Sequence, residues 1–129
     1  MDDDFSGRGL AFPLRPGVSG LGESAGVAKV EESIRIILGT RPGERVMRPQ
    51  FGCELGSLVF SPNNSSTADL ARYYVTDALT RWEPRIDVLD VVVGHDSIRG
   101  HLVIDVRYRL RALGAVQTLV HRLPLEGAG

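Results

Sequence analysis

The chain has 129 residues, of which 43% are hydrophobic and 24% are charged, as is typical of one ordinary globular domain. Fifteen Lys and Arg against 16 Asp and Glu give a net charge of -1, which argues against a global attraction to nucleic acid or to an anionic membrane. The lone cysteine, Cys53, excludes an intrachain disulfide, and no apolar run approaches the roughly 20 residues of a transmembrane helix.

The N-terminal region predicts an extended arm. Residues 1–26 are rich in Gly, Ser, Asp and Pro, with one apolar stretch at residues 10–14. The acidic start, residues 1–4, is the opposite of a signal peptide's basic start, so we expect folding and assembly in the cytoplasm.

A first helix is predicted from Val27 to Leu38. Its apolar residues recur at helical spacing, and charged residues fall off that stripe. We expect Gly39 to end the helix in a left-handed conformation and Pro42 to prevent its resumption. The apolar stripe consists of Val27, Val30, Ile34, Ile37 and Leu38.

Residues 40–64 show no steady period. A loop this long in a compact domain is usually functional or disordered. Its apolar residues argue against disorder, so we predict an ordered loop held to the core. Those apolar residues are Val46, Met47, Phe51, Leu55, Leu58, Val59 and Phe60.

A second helix is predicted to run to about Trp82, where Pro84 stops it. Ser66, with Asp69 three positions later, resembles a capping box. The predicted apolar face is wide and contains Leu70, Ala71, Tyr74, Val75, Ala78, Leu79 and Trp82.

The last third predicts three strands, because β-branched residues and apolar–polar alternation dominate it. The strands cover residues 86–93, 102–110 and 116–123. The order of elements predicts an α+β fold: an antiparallel three-stranded meander packed against two main helices, with an extended N-terminal arm. We take residues 27–125 as a single domain and residues 126–129 as a tail.

The sequence contains no motif typical of a metal site, a cofactor site or a catalytic nucleophile. His95 and His101 flank the predicted hairpin turn and could approach each other, but turns favour polar residues anyway. No Gly-x-Ser-x-Gly or phosphate-binding glycine loop occurs, and no histidine lies near Cys53. We therefore predict no catalytic, cofactor-binding or metal-binding residues.

Two other functions stay open. A lysozyme-like glycosidase acting on peptidoglycan needs two carboxylates across a cleft, and the available acids are Glu32, Glu44, Glu54 and Glu83. A small nucleic-acid-binding domain is suggested by a basic row that shares one strand face, namely Arg107, Arg109 and Arg111. The ordinary interpretation of that row is a charged, exposed sheet face, and no aromatic residues alternate with the arginines.

The order of motifs is more informative than the chemistry. Residues 37–53, ILGTRPGERVMRPQFGC, resemble the pattern T-x-x-G-E-R-x-M-x-P-x-F-G of the GPW / gene-product-twenty-five family, the wedge proteins of contractile-tail baseplates. The family's Glu-Pro-Arg after the second helix is matched by residues 83–85. Residues 7–13 and 119–125 resemble the family's two ends, although positions 121–122 depart from its commoner Tyr-Pro or Pro-Phe. The resemblance spans nearly the whole chain.

This resemblance implies a structural subunit of a phage tail, an extracellular injection particle or a type VI secretion-like machine, and not an enzyme. It implies many copies in a six-fold baseplate, built in the cytoplasm. The implied partners are the sheath protein, joined by strand addition, the larger wedge proteins, and the hub and spike proteins. Nucleic acid, membrane insertion and cofactors are not implied.

The same resemblance assigns partner binding to two segments. Glu83 is expected to orient Arg45 or Arg85 internally, or to bind a partner. The assigned residues are Gly43, Glu44, Arg45, Met47, Pro49, Phe51 and Gly52, followed by Glu83, Pro84 and Arg85.

Overall fold

The computed structural model describes the backbone of residues 19–126 and the side chains of residues 25–126. The three strands form one antiparallel sheet in the order β1-β2-β3, so the predicted α+β meander with two main helices is confirmed. The predicted apolar stretch at residues 10–14 lies outside the described residues. The elements are α1 (Ser19–Gly39), a short 3-10 helix (Glu54–Leu58), α2 (Ser65–Trp82), β1 (Ile86–Asp96), β2 (His101–Leu110) and β3 (Val116–Pro124).

Helix α1 is longer than predicted. It begins at Ser19 rather than at Val27, so residues 19–26, predicted as part of an extended arm, are helical. The boundary between two compact units, Met1–Glu32 and Ser33–Gly129, falls within this helix. None of the described helices combines the length and apolarity needed to cross a bilayer.

The end of α1 differs from the prediction. Gly39 is not among the glycines with positive φ, so the expected left-handed glycine cap is wrong. Thr40 closes the last turn instead: its amide donates to the Ile37 carbonyl at 3.3 Å, and its hydroxyl donates to the Ile36 carbonyl at 2.6 Å. A hydroxyl therefore satisfies a carbonyl that the helix end would leave unpaired.

The start of α2 also differs. Asn64, not Ser66, is the N-cap, and its side-chain oxygen accepts a hydrogen bond from the Thr67 amide at 3.0 Å. Asp69, the expected partner in a capping box, lies 3.6 Å from Arg72 on the exposed helix surface. Asn is as good an N-cap as Ser, so composition alone did not distinguish adjacent capping residues.

The core lies between the helices and one face of the sheet. In the second compact unit, α1 buries Ile34, Ile37 and Leu38. Helix α2 packs against β1 through a narrow stripe, and Leu70, predicted on the apolar face, is 45% exposed. Every inward residue of β2 is buried, as its alternation predicted. The buried stripe of α2 is Thr67, Ala68, Ala71, Val75, Ala78 and Leu79, and that of β2 is Leu102, Ile104, Val106, Tyr108 and Leu110.

Candidate functional site

The segment after α1, residues 40–53, forms a loop whose two ends are joined by a backbone hydrogen bond at Thr40. The Cys53 amide donates to the Thr40 carbonyl at 2.8 Å, and the Gly43 amide donates to the Pro49 carbonyl at 2.5 Å. We call the place where Gly52 approaches the Thr40 carbonyl the neck of the loop. Gly52 has φ +129, and a Cβ on it would lie 2.3 Å from the Thr40 oxygen. Only glycine fits this close backbone approach. The neck therefore fixes where the loop, residues 43–50, projects.

The loop's tip is apolar and exposed. Val46 is 93% exposed and Met47 is 90% exposed. Our expectation that apolar residues hold the loop to the core is wrong for these two residues and for Phe60, which is 74% exposed. It is right for Phe51, Leu55 and Leu58, which are buried. Large apolar side chains held in water on an ordered loop are typical of a contact surface.

An aromatic pair joins this loop to the end of α2. The rings of Phe51 and Trp82 meet edge to face, with centroids 5.3 Å apart and planes at 60°. Phe51 is buried and Trp82 is half-buried. Such pairs contribute beyond their buried area. This contact brings the two predicted partner-binding segments, residues 43–52 and 83–85, to one side of the domain.

Three exposed arginines lie over these rings. The Arg45 guanidinium is 4.9 Å from the Phe51 centroid, and that of Arg81 is 5.9 Å from the Trp82 centroid. Arg48 spans both rings, at 5.3 Å from Phe51 and 4.9 Å from Trp82. We call these three arginines with Phe51 and Trp82 the arginine shelf. Sequence reasoning missed Arg48 and Arg81, although each is a near neighbour of a predicted site residue.

Glu83 is a buried carboxylate paired with Arg85. Its side chain is 2% exposed, and it accepts hydrogen bonds from Arg85 Nε at 2.7 Å and Arg85 Nη2 at 3.1 Å. Ser33 of α1 is a second hydrogen-bond partner. Burial raises the pKa of Glu83, but the hydrogen bonds from Arg85 and Ser33 and the charge of Arg85 outweigh it, so the pKa falls below 4.5.

The contacts of the Glu83 carboxylate lie within the domain. Because its oxygens face Arg85 and Ser33, Glu83 orients Arg85 and does not reach Arg45, which lies over Phe51. The Arg85 side chain is 53% exposed, so the fork is held at one edge and open to solvent on the other.

The described surface has a shallow cleft beside the shelf, with a volume of about 180 Å³. Two exposed acids, Glu54 and Asp77, lie at its rim, and Cys53 forms part of its floor. The Cys53 thiol donates to the Tyr74 carbonyl at 3.4 Å, and burial raises its pKa to about 11. A thiol in this state is not a nucleophile at neutral pH.

The basic row on the outer sheet face is neutralised by acids of β1. Asp87 lies 2.8 Å from Arg111 Nε and 3.9 Å from Arg109 Nε. Arg107 is opposite Asp90 in the β1–β2 register. Mixed charges of this kind fit the ordinary interpretation of an exposed sheet face better than a nucleic-acid surface.

The two hairpin histidines do not converge. Asp96 pairs with His101 and His95 pairs with Leu102, so successive alternation places His95 and His101 on opposite faces of the sheet. Among the described residues, no three His, Cys, Asp or Glu side chains are grouped closely enough to hold a metal ion.

Solved structures show the class of protein that this architecture defines. A crystal structure of a candidate tail lysozyme from Geobacter sulfurreducens superposes with a TM-score of 0.74, at 39% identity, covering 92% of this chain and all of that chain. A chain of the postcontracted baseplate of pyocin R2 superposes with a TM-score of 0.50, at 29% identity, covering 78% of this chain and 85% of that chain. The fold is therefore one that also occurs in a tail lysozyme candidate and in the pyocin R2 baseplate.

The sequence comparison is more specific. The family model of the baseplate wedge protein gp25 matches residues 24–114, so the chain belongs to that family. The chain is 32% identical over 87 residues to the baseplate wedge protein gp25 of Enterobacteria phage T4. That match covers 66% of this chain and 64% of the phage protein, which is somewhat less than two thirds of its length. The family suggested by the sequence motifs is confirmed.

Proposed function

We propose that this protein is a structural subunit of a contractile-tail baseplate that links the inner wedge and hub to the first sheath ring. The observation that carries the proposal is family membership over residues 24–114, combined with a sheet whose outer edges are not paired by described residues. A strand with free backbone groups is a template for strand addition from another chain. The proposed partners are therefore the sheath protein, the larger wedge proteins, and the hub and spike proteins.

The backbone register identifies the groups that β3 offers. The Leu125 amide donates to Gly100, and the Ala115 carbonyl accepts from Leu110, so odd-numbered positions of β3 bond to β2. Antiparallel ladders alternate, and even-numbered positions therefore point their N–H and C=O outward. The outward positions are Val116, Thr118, Val120 and Arg122.

We propose β3, not β1, as the receiving edge. The β1–β2 register shifts between Val88 and Asp90, and such bulges protect an edge from pairing. The β2–β3 register is unbroken from His101↔Pro124 to Arg109↔Val116. Arg35 Nη1 donates to the Val120 carbonyl at 3.3 Å, an exposed contact that an added strand would replace.

The contacts with the wedge and hub proteins would use the loop, residues 43–50, and the Glu83-Pro84-Arg85 segment. An exposed apolar tip at Val46 and Met47 and a preorganised Arg85 fork suit the wedge and hub proteins. We propose that Glu83 serves this surface indirectly, by holding Arg85. We also propose residues 27–125 as the assembling domain, and the cytoplasm as the place where the six-fold baseplate is built before it joins the tail particle.

Glycosidase activity is the weaker alternative. A glycosidase needs a general acid with a raised pKa, whereas Glu83, the buried acid of the described residues, has its pKa lowered by Arg85 and Ser33. We therefore propose that the protein is not an enzyme. Purified protein that clears peptidoglycan, and that loses this activity on Glu54→Gln, would contradict the proposal.

Proline substitutions test the edge assignment. Thr118→Pro removes an outward N–H and no ladder bond within the chain, so the variant should fold but fail to support sheathed particles in a deletion strain. Val93→Pro makes the matched change at the outward row of β1 and should support assembly. Failure of Val93→Pro alone, with both variants folded, would assign the edge to β1. Sheathed particles in the deletion strain itself would refute the linking role.

A further inference from the structure

We infer that the arginine shelf is a receptor for carboxylates on an acidic, partly apolar helix of another baseplate protein. The inference rests on the proposed function and deepens it, because it assigns a partner chemistry to one surface of the loop. The shelf consists of Arg45, Arg48 and Arg81 over the rings of Phe51 and Trp82.

Aromatic rings, and no carboxylates of the described residues, hold the three arginines. No carboxylate of the described residues forms an ion pair with Arg45, Arg48 or Arg81. The nearest buried acid along the chain, Glu83, is engaged by Arg85. The three guanidiniums are instead placed by contact with aromatic faces, 4.9 to 5.9 Å from ring centroids.

Contact with an aromatic ring positions a guanidinium without using its hydrogen bonds. A cation–π contact uses the charge of the guanidinium and none of its five in-plane N–H donors. An arginine held this way keeps its donors free for a bidentate carboxylate, and the entropic cost of ordering it is already reduced. The shelf therefore presents positive charges that are fixed in place and unsatisfied by the described residues.

The surroundings favour a protein partner over nucleic acid. Val46 and Met47, between Arg45 and Arg48 in the chain, are almost fully exposed and need an apolar counterpart. The faces of Phe51 and Trp82 are occupied by guanidiniums, so they are not open platforms for stacked bases. A helix with carboxylates one turn apart and apolar residues beside them matches both features.

The fluorescence of Trp82 can report binding at the shelf, because Trp82 is the single tryptophan of the chain and lies under Arg48 and Arg81. The full chain would be titrated with an amphipathic peptide of about 20 residues, long enough to be helical, carrying Glu pairs at i, i+4 and Leu beside them. We expect a saturable change in Trp82 fluorescence that weakens as salt is raised. A peptide with Gln in place of Glu should not bind.

The variant Arg45→Gln/Arg48→Gln should bind the Glu peptide at least about tenfold more weakly. The control Arg99→Gln/Arg107→Gln removes equal charge from the hairpin turn and outer sheet face, and it should bind as the unaltered protein does. Circular dichroism melts would establish that both variants are folded. Equal binding of the Gln peptide, or undiminished binding by the shelf variant, would overturn the inference.

Two further arms separate this inference from the proposed function. A short DNA duplex that quenches Trp82, where the Glu peptide does not, would make the shelf a nucleic-acid site and overturn the inference. If the Glu peptide fails to bind but a deletion strain still lacks sheathed particles, the shelf assignment fails and the linking role stands. If the peptide binds but the deletion strain makes normal particles, the linking role fails alone.

Discussion

Arg85 donates two hydrogen bonds to Glu83, from Nε to Oε2 at 2.7 Å and from Nη2 to Oε1 at 3.1 Å. A buried carboxylate thereby orients a half-exposed guanidinium. Glu83 also caps α2, since its amide donates to the Leu79 carbonyl at 3.0 Å. The pair thus lies where α2 ends and the sheet begins, and its solvent-exposed atoms belong to Arg85.

Glu83→Gln should lower the free energy of unfolding by about 1–3 kcal/mol at neutral pH, because charged hydrogen bonds from Arg85 and Ser33 are weakened. The folded pKa of Glu83 lies below 4.5, so its contribution is present above that pH and is lost as the pH falls through the folded pKa. Urea unfolding of both proteins between neutral and acidic pH measures this. A stability difference that grows with acidity would contradict the account.

Arg85→Ala should leave the isolated chain folded but impair assembly of sheathed particles. The guanidinium is half-exposed, so little packing is lost, although Glu83 then keeps only Ser33 as a side-chain partner. Thermal melts and electron microscopy of complemented deletion strains check the two halves separately. A variant that is unfolded when isolated would make Arg85 chiefly structural, and Arg72→Ala provides a control on an exposed helix face.

Gly52→Ala should destabilise the fold by roughly 2–4 kcal/mol, because it combines a strained φ of +129 with a clash against the Thr40 carbonyl. Gly94→Ala is the matched control: a Cβ at Gly94 meets nothing within 4 Å, and φ is not positive. Its change should stay within about 0.5 kcal/mol. Similar losses in the two variants, measured by chemical denaturation, would show that the neck of the loop tolerates a side chain.

The Cys53 thiol should react very slowly with a thiol reagent at neutral pH while the chain is folded. Burial raises its pKa to about 11, so the thiolate is scarce, and the side chain is 2% exposed. The same chain in denaturant should react at the rate of a free thiol, which is the internal control. Rapid labelling of the native protein would mean that the cleft opens to solvent.

Val46→Ser/Met47→Ser should change stability by no more than about 0.5 kcal/mol, since both side chains are almost fully exposed. Phe51→Ala, which removes a buried ring from beside Trp82, should cost about 3 kcal/mol. If the loop tip is a contact surface, the double serine variant should nevertheless reduce particle assembly. Normal assembly by a folded double variant would remove Val46 and Met47 from the interface.

Much of the fold could be predicted because its periodic signals are local. The alternation in β2 placed Leu102, Ile104, Val106, Tyr108 and Leu110 on the buried face, and the structure agrees. Capping was predicted less well, since neighbouring residues such as Asn64 and Ser66 have equal capping chemistry and only packing selects one. Likewise, hydrophobicity placed Val46 and Met47 in the core, but the closed neck of the loop holds them in water.

By itself, the sequence determined the class of fold and the family, since helical and strand periods and ordered motifs are properties of consecutive residues. Only the tertiary structure decided that Glu83 is buried and serves Arg85, and that Phe51 and Trp82 meet beneath three arginines. The contact of Phe51 with Trp82 joins residues far apart in the chain. The burial of Glu83 depends on which side of the turn after α2 the core covers. Their geometry follows from chain folding around the core, which local spacing does not encode.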